Sequence, residues 1–220
     1  MDFQILSVLE PAEVKFILGE LGRRTFADGK LSAHGNARAI KNNLQAERNS
    51  SETTEIDGIF LSALRRNEDF QNFAIPRRVQ LPLFSRYEPG MEYGAHIDSA
   101  LMGAGDPMRT DLAFTLFLSE PDTYDGGELA IELASGEQEI KLGAGEGVCY
   151  SAKSLHRVTP VTRGVRLVAV TWIQSAVRDE RIRAILVDLS QASRELNSRD
   201  RAGMLVNKAY HNLIRISAEL

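Results

Sequence analysis

The chain has 220 residues, 43 % hydrophobic and 25 % charged, the balance of an ordinary globular protein with room for one sizeable core. A net charge of −4 offers no basic field to recruit nucleic acid, and no apolar stretch approaches the roughly 20 residues that span a bilayer. The lone cysteine, Cys149, leaves no internal disulfide, and no basic start runs into an early apolar segment, so a cytoplasmic protein without a signal peptide is expected.

The first third reads helical. Pro11 suits a first helical turn, and Val14, Ile17, Leu18 and Leu21 recur on one apolar face. Residues 33–48 and 52–66 carry a polar helical pattern, with Ser50-Ser51 between them able to cap the second. From about residue 77 to 175 the period falls to two. Leu112, Phe114, Leu116 and Leu118 alternate with Thr115 and Phe117. Beyond the Asp125-Gly126-Gly127 turn come Leu129, Ile131 and Leu133. Ile140 and Leu142 then lead into the Gly143–Gly147 turn. Val148–Ser151 and Arg166–Gln174 complete the set, and Cys149 in the first of them reads as a core thiol. Short alternating strands between Gly, Pro and Asp turns predict an antiparallel sandwich or barrel.

After Gln174 the period returns to 3.6. Ile182, Ile185, Leu186 and Leu189 form one stripe, and Ala202, Leu205, Val206, Ala209, Leu213 and Ile216 a second. Asn197-Ser198 supplies a turn and an N-cap between them. This helical hairpin must pack on the core, on the N-terminal helices or on a second copy, which makes a homo-oligomer through these helices one expectation. The chain thus divides into an N-terminal helical region (1–76), a β core (77–177) and a C-terminal helical hairpin (178–220).

His96 and Asp98, in Arg86-Tyr-Glu-Pro-Gly-Met-Glu-Tyr-Gly-Ala-His-Ile-Asp98, carry the chemistry. Residues two apart on a strand share a face, so an imidazole and a carboxylate reach one cavity together. They are two of the three ligands of a 2-His-1-carboxylate iron(II) site. The other histidines are His34, His156 and His211. His34 and His211 lie in helix-like segments and read as surface or packing residues. His156, in Ser154-Leu-His-Arg-Val-Thr-Pro160 directly after a strand, is the candidate third ligand. On the late strand, Arg166 shares a face with Val168, Val170 and Trp172. Either it starts the strand at the solvent edge, or it points inward and pairs with a ligand carboxylate, for which its planar fork is suited. Arg163 on the preceding turn is the weaker candidate for that role.

His96-x-Asp98, His156 and Arg166, in this order and spacing, resemble the iron(II)/2-oxoglutarate-dependent dioxygenases. More closely, the chain resembles the bacterial PKHD-type hydroxylases, related to prolyl and lysyl hydroxylases. The resemblance rests also on Ile40-Lys-Asn-Asn-Leu-Gln45, Asp111-Leu-Ala-Phe-Thr-Leu-Phe-Leu-Ser119, Tyr124-Asp-Gly-Gly-Glu-Leu129 and Leu155-His-Arg-Val-Thr-Pro-Val-Thr-Arg-Gly-Val-Arg166, and it covers nearly the whole chain. It implies an α+β fold, a double-stranded β-helix (jelly-roll) core with flanking N-terminal helices and the C-terminal hairpin. It implies His96, Asp98 and His156 as catalytic iron(II) ligands and Arg166 as the partner of the distal carboxylate of 2-oxoglutarate. Dioxygen is the other co-substrate, and L-ascorbate a possible reductant. Tyr87 is a candidate donor to 2-oxoglutarate, while Tyr93 could equally line the substrate entrance. Some prolyl hydroxylases place a tyrosine where Phe117 stands here, which leaves Thr115 as the candidate helper of Arg166.

Two other readings share parts of this pattern. One is a cupin-like metalloenzyme that does not use 2-oxoglutarate, the other a non-catalytic binding module; an inward Arg166 beside an intact triad argues against both. The substrate, a small molecule or a protein side chain, is not specified. Arg65-Arg66, Arg77-Arg78 and Arg109 could favour an acidic one, with a solvated surface as the plainer reading.

Overall fold

Which residues alternate decides the architecture of the computed structural model, which describes residues 2–33, 35–48, 54–103 and 105–219. β1 (Phe3–Ser7) precedes α1 (Pro11–Leu21). β2 (Phe26–Asp28), a single 3-10 turn (Gly29–Ser32) and α2 (Gly35–Ala39) lead to β3 (Lys41–Asn42) and β4 (Leu44–Ala46). Two helices follow, α3 (Glu55–Arg66) and α4 (Glu68–Ala74). The central strands are β5 (Pro76–Val79), β6 (Leu83–Tyr87), β7 (Glu92–His96), β8 (Leu101–Met102), β9 (Met108–Arg109) and β10 (Leu112–Phe117). Then come β11 (Asp125–Gly126), β12 (Leu129–Leu133), β13 (Gly136–Ile140), β14 (Glu146–Ser151), β15 (His156–Val158), β16 (Val161–Arg163) and β17 (Arg166–Ser175). α5 (Glu180–Glu195) and α6 (Arg201–Ser217) end the order.

All strand pairs between these elements are antiparallel. The major sheet runs β1-β14-β10-β17-β6-β4-β2, with β5 also on β17, and the minor sheet runs β13-β12-β15-β7-β3. The result is a mixed helical and antiparallel structure consistent with a jelly-roll.

The major sheet is covered on both faces, which is why β10 is buried at every position. Phe114 and Leu116 turn to one face, where they meet Ile17, Ile56, Phe60, Leu64 and Phe70 from the helices. Phe114 packs edge-on against Phe70 with ring centres 5.8 Å apart, and against Phe60 at 6.2 Å. Ala113 and Phe117 turn to the other face and join Tyr87, Leu129, Ile131, Val148, Tyr150 and Val158 between the sheets. Helix α3 is anchored from its first turn. Thr54 caps it in a box with Asp57, and Arg48 grips the buried Asp57 carboxylate with two bonds of 2.7 and 2.8 Å.

Several expectations are corrected. The stretch 33–48 is helical only over α2. Past Ile40 the backbone bonds outward instead: β3 pairs with β7 and β4 with β6, and these ladders override a polar helical pattern that had no apolar face of its own. The first 76 residues therefore supply β1 to β4 to the sheets as well as helices. The second helix begins at Glu55 with Thr54 as its cap, while His34 and Ser50-Ser51 lie outside the described residues. The cap of α6 is Asp200, not Ser198; Asn197 instead accepts from the Arg199 amide and forms the turn.

The C-terminal hairpin is tied to the core through α5, whose Leu186 is buried and whose buried Arg183 donates to the carbonyls of Val177 and Arg178 at 2.7 and 2.9 Å. The end of α6 is clipped back by a Val177–Ala218 bridge and by Arg109 to Glu219 at 2.8 Å. Much of the α6 stripe stays in solvent, with Leu205 at 51 % and Ile216 at 82 % exposure, next to Met204 at 53 %.

Two measurements check this packing. Phe114→Ala removes the ring that both helices grip and should lower the unfolding free energy by about 3–5 kcal/mol, read from urea melts. Burial pushes the Cys149 thiol far up, so the native protein should barely react with a thiol reagent at pH 8, whereas the guanidinium-unfolded chain should react fully.

Candidate active site

The two histidines meet because of strand register. β15 lies on β7 with His156 directly opposite His96, and residues so paired present their side chains to the same face. The ring centres are 4.3 Å apart. Asp98 follows two residues after His96, just beyond β7, and its carboxylate turns back so that His156 Nε2 lies 3.9 Å from Oδ1. One ligand atom from each of His96, Asp98 and His156 fits within 4.8 Å of the others. Both imidazoles have a fixed tautomer. A carbonyl only accepts, so His96 Nδ1–H donates to Gly94 O at 2.8 Å and His156 Nδ1–H to Ser154 O at 2.9 Å. Each Nε2 lone pair is left for the cavity, the usual outer support of a metal-binding histidine.

Electrostatics agree. Burial, with the neighbouring His156 and Lys41, brings His96 down to about 4, so its imidazole is neutral near pH 7. Burial pushes Asp98 up, opposed by His156 and Lys41. Its side chain is 7 % exposed, and Oδ2 has no hydrogen-bond partner. A buried carboxylate oxygen without a partner is costly unless something binds it.

The triad opens into a cavity of about 720 Å³ between the two sheets. At its inner end stands Arg166, the first residue of β17, paired in register with Tyr87 of β6. It is 1 % exposed, which removes the reading of a solvent-edge arginine. Its guanidinium lies 5.0 Å from the Tyr87 ring and 5.3 Å from that of Phe117. Among the described residues it has no ion pair, and Nε has no hydrogen-bond partner. Space for it comes from Gly127: with φ at +69°, a Cβ there would come within 2.9 Å of the Arg166 Cδ.

The predicted face is the observed one, since Arg166, Val170 and Trp172 all line the cavity. Thr115 and Tyr87 line it as well. Tyr93 stacks on His96 at 3.7 Å. Arg163 is elsewhere: it holds Asp125 on the surface through bonds of 2.7 and 3.0 Å. The basic residues weighed for an acidic substrate are also away from the cavity. Arg66 pairs with Glu13, Arg78 with Asp106, and Arg109 with Asp111 and Glu219.

Several groups at the site received no role in the sequence reading. Tyr150 packs edge-on to His156 at 5.3 Å, and burial raises its phenol well above the ordinary range. Trp172 leans its indole N–H toward Asp98 short of hydrogen-bond geometry, as the Asn43 amide does toward Tyr87 and the Tyr124 hydroxyl toward Arg166. Lys41 lines the cavity too, and burial lowers its ammonium to about 8 against the pull of Asp28 and Asp98. The signal for Lys41 and Asn43 was present in Lys41-Asn-Asn-Leu-Gln45, whose alternate residues all face the cavity.

Residues 82–174 match the 2OG-Fe(II) oxygenase superfamily. A PKHD-type hydroxylase of Synechococcus sp. (strain JA-2-3B'a(2-13)) is 48 % identical over 217 residues, 97 % of each chain. One from Burkholderia ambifaria (strain ATCC BAA-244 / DSM 16087 / CCUG 44356 / LMG 19182 / AMMD) is 44 % identical over 223 residues, 98 % of each. The chain belongs to the PKHD-type hydroxylases. Among solved structures, a Pseudomonas putida prolyl-4-hydroxylase superposes with a TM-score of 0.60 at 23 % identity, over 79 % of this chain and 92 % of that one. The viral collagen prolyl hydroxylase of Paramecium Bursaria Chlorella virus-1, in a 2-oxoglutarate complex, gives 0.56 at 18 % identity, over 80 % and 96 %. These likenesses support the fold. The protein is thus a 2-oxoglutarate-dependent hydroxylase, an oxidoreductase of a family that uses iron and 2-oxoglutarate.

The cavity fits both groups: the Nε2 atoms of two histidines and an unsatisfied carboxylate oxygen for the metal, and a buried guanidinium with no ion pair among the described residues, in a glycine-cleared space, for a carboxylate. His96→Ala, Asp98→Ala and His156→Ala should each weaken iron(II) binding at least about a hundredfold, more than loss of an outer-shell partner does, as read by equilibrium dialysis with elemental analysis. Wild-type binding by any of the three would remove that residue from the metal site.

Proposed function

We propose that His96, Asp98 and His156 hold iron(II) and that Arg166, with Tyr87 and Thr115, holds 2-oxoglutarate. The observation that carries this reading is Arg166, a fully buried cation without a carboxylate partner, facing the same cavity as the triad. A cupin-like enzyme or a plain binding module has no use for such a charge at that place. Iron(II) bound there supplies the activation of dioxygen, with 2-oxoglutarate as the reductant that leaves as succinate and carbon dioxide while the substrate gains a hydroxyl.

The chain's own residues orient and exclude. Arg166 offers a planar fork to the distal carboxylate, which fixes the co-substrate before any chemistry. Tyr87 and Phe117 wall the guanidinium, so that its hydrogen bonds form away from bulk water and are stronger for it. Thr115 lies on the same side of β10 as Phe117 and lines the cavity. Leu129, Val158 and Val170 supply apolar lining that helps keep water from the site. The Nδ1 bonds of His96 and His156 hold both rings at a fixed angle throughout.

The core is taken to be a double-stranded β-helix flanked by N-terminal helices and the C-terminal hairpin. L-ascorbate as the reductant that restores oxidised iron rests on the family resemblance. A cytoplasmic location is supported by the lone, buried Cys149; among the described residues no helix is long and apolar enough to cross a membrane. A net charge of −4 speaks against nucleic acid as a partner. The exposed apolar residues of α6 support self-association through the C-terminal helices. The hydroxylated substrate is a small molecule or a protein side chain.

Anaerobic iron(II) with 2-oxoglutarate should give the wild type a visible charge-transfer band, and a protein that does not chelate 2-oxoglutarate would give none. Arg166→Ala loses a charge-assisted pair of about 1.5–3 kcal/mol, so the 2-oxoglutarate KM should rise about ten- to a hundredfold in a succinate-release assay. An unchanged KM would take the co-substrate away from Arg166.

A further inference from the structure

Lys41 is a charged group of the cavity that the metal and the co-substrate leave unused. It sits on β3, across from Tyr93 of β7, and its ammonium lies 5.2 Å from the Tyr93 ring that in turn stacks on His96. It is only 6 % exposed. Lysine is rarely buried this far without a partner, because desolvating an ammonium is expensive. Among the described residues its single hydrogen bond goes to Ser32 Oγ at 2.9 Å, and the Ser32 hydroxyl donates in turn to Gln45 Oε1 at 2.6 Å. An ammonium has three donors, so two remain.

Carboxylates are near but committed elsewhere. Among the described residues none makes an ion pair with Lys41. Asp28 accepts from the Lys30 amide at 2.9 Å and caps the 3-10 turn, and Asp98 belongs to the triad. The other cation on this wall, Arg48, is already held by Asp57. The cavity that Lys41 lines also has an apolar wall, to which Leu81, Leu83, Leu101 and Met102 contribute. The second polar group on the same strand pair, Asn43, is buried and its amide makes no full hydrogen bond.

We propose that Lys41 is the substrate-recognition residue of this hydroxylase and that the substrate carries a carboxylate on an apolar body. The ammonium receives the carboxylate, the leucine and methionine wall takes the body, and the Tyr93 ring stands between that anchor and the metal ligands. One unneutralised lysine matches a monoanion better than a phosphate dianion, which Asp28 and Asp98 would repel. The inference rests on the reading that Arg166 and the triad take 2-oxoglutarate and iron, which leaves Lys41 for the substrate.

The test uses the anaerobic iron(II) enzyme saturated with 2-oxoglutarate, so that Arg166 is filled. Hexanoate and its uncharged isostere hexanamide are titrated in, and binding is read from the fluorescence of Trp172, the chain's only tryptophan and part of the cavity wall. The wild type should bind hexanoate at least about tenfold tighter than hexanamide, the scale of a charge-assisted hydrogen bond. Lys41→Met should abolish that preference and Lys41→Arg should keep it, with the 2-oxoglutarate band intact in all three. A merely structural lysine would not move the ratio of acid to amide. No measurable hexanoate binding, equal binding of the two by the wild type, or a preference retained in Lys41→Met overturns the proposal, as does hexanoate that erases the 2-oxoglutarate band. A wild type without that band would instead sink the reading of Arg166, so the two failures are told apart.

Discussion

The pairing of His156 with His96 across β15 and β7 is the constraint on which the site depends. Strand alternation has period two, so a slip of one residue would send one imidazole to the far side of the sheet. The register is held from both sides. β12 lies on the other edge of β15, with Ile131 opposite His156 and buried in the inter-sheet core. β3 closes the far edge of β7. Asp98 needs no strand of its own once His96 is placed, because two residues of chain bring its carboxylate back to the same opening.

Arg166 is the second constraint, and it runs against stability. A buried guanidinium without an anion loses solvation that its two aromatic neighbours only partly replace. The fold tolerates it because β17 is the best-secured strand of the major sheet, laddered to β10 on one side and to β6 and β5 on the other. Helices cover one face of that sheet and the minor sheet the other. The aromatic cluster around Phe114 carries the packing on the helical side, which leaves the opposite face free to hold polar groups that function requires. Gly127 shows the same division of labour, since the turn residue that a left-handed backbone favours is also the one that clears room for the arginine.

The parts legible in the sequence were those governed by strong local rules. Period-two runs located β10, β12, β14 and β17, and because the rule also assigns faces, it put Arg166 on one face with Val170 and Trp172 and Thr115 on one face with Phe117, while leaving open whether Arg166 met solvent or the cavity. The His-x-Asp spacing and a histidine directly after a strand were enough to name the triad. Residues 33–48 misled because β3 and β4 are two and three residues long, too short to show alternation, and their ladders are made with partners some 40 to 50 positions away. No local pattern reports such pairings. Lys41 was hidden for the same reason, since a lysine in a polar stretch reads as solvent-exposed until its strand is seen to be the edge of the minor sheet. Tyr150 received no role and Trp172 only a place on the face of Arg166, because it is the packing of the two sheets that brings them beside His156 and Asp98.

The cavity wall collects polar groups whose geometry stops short of completion: Asp98 with Trp172, Arg166 with Tyr124, Asn43 with Tyr87. In a core evolved for stability alone such pairs would close to hydrogen-bond geometry or be replaced by apolar side chains, since each unmade bond costs about 1–3 kcal/mol. Here they gather around one cavity, beside His96, Asp98 and His156, at Arg166 and at Asn43 between β3 and β4. A strained or unsatisfied group at a single point has many explanations. A set of them around one opening, on strands or directly beside them, is the pattern of a site that reaches full satisfaction only when its ligands are in place.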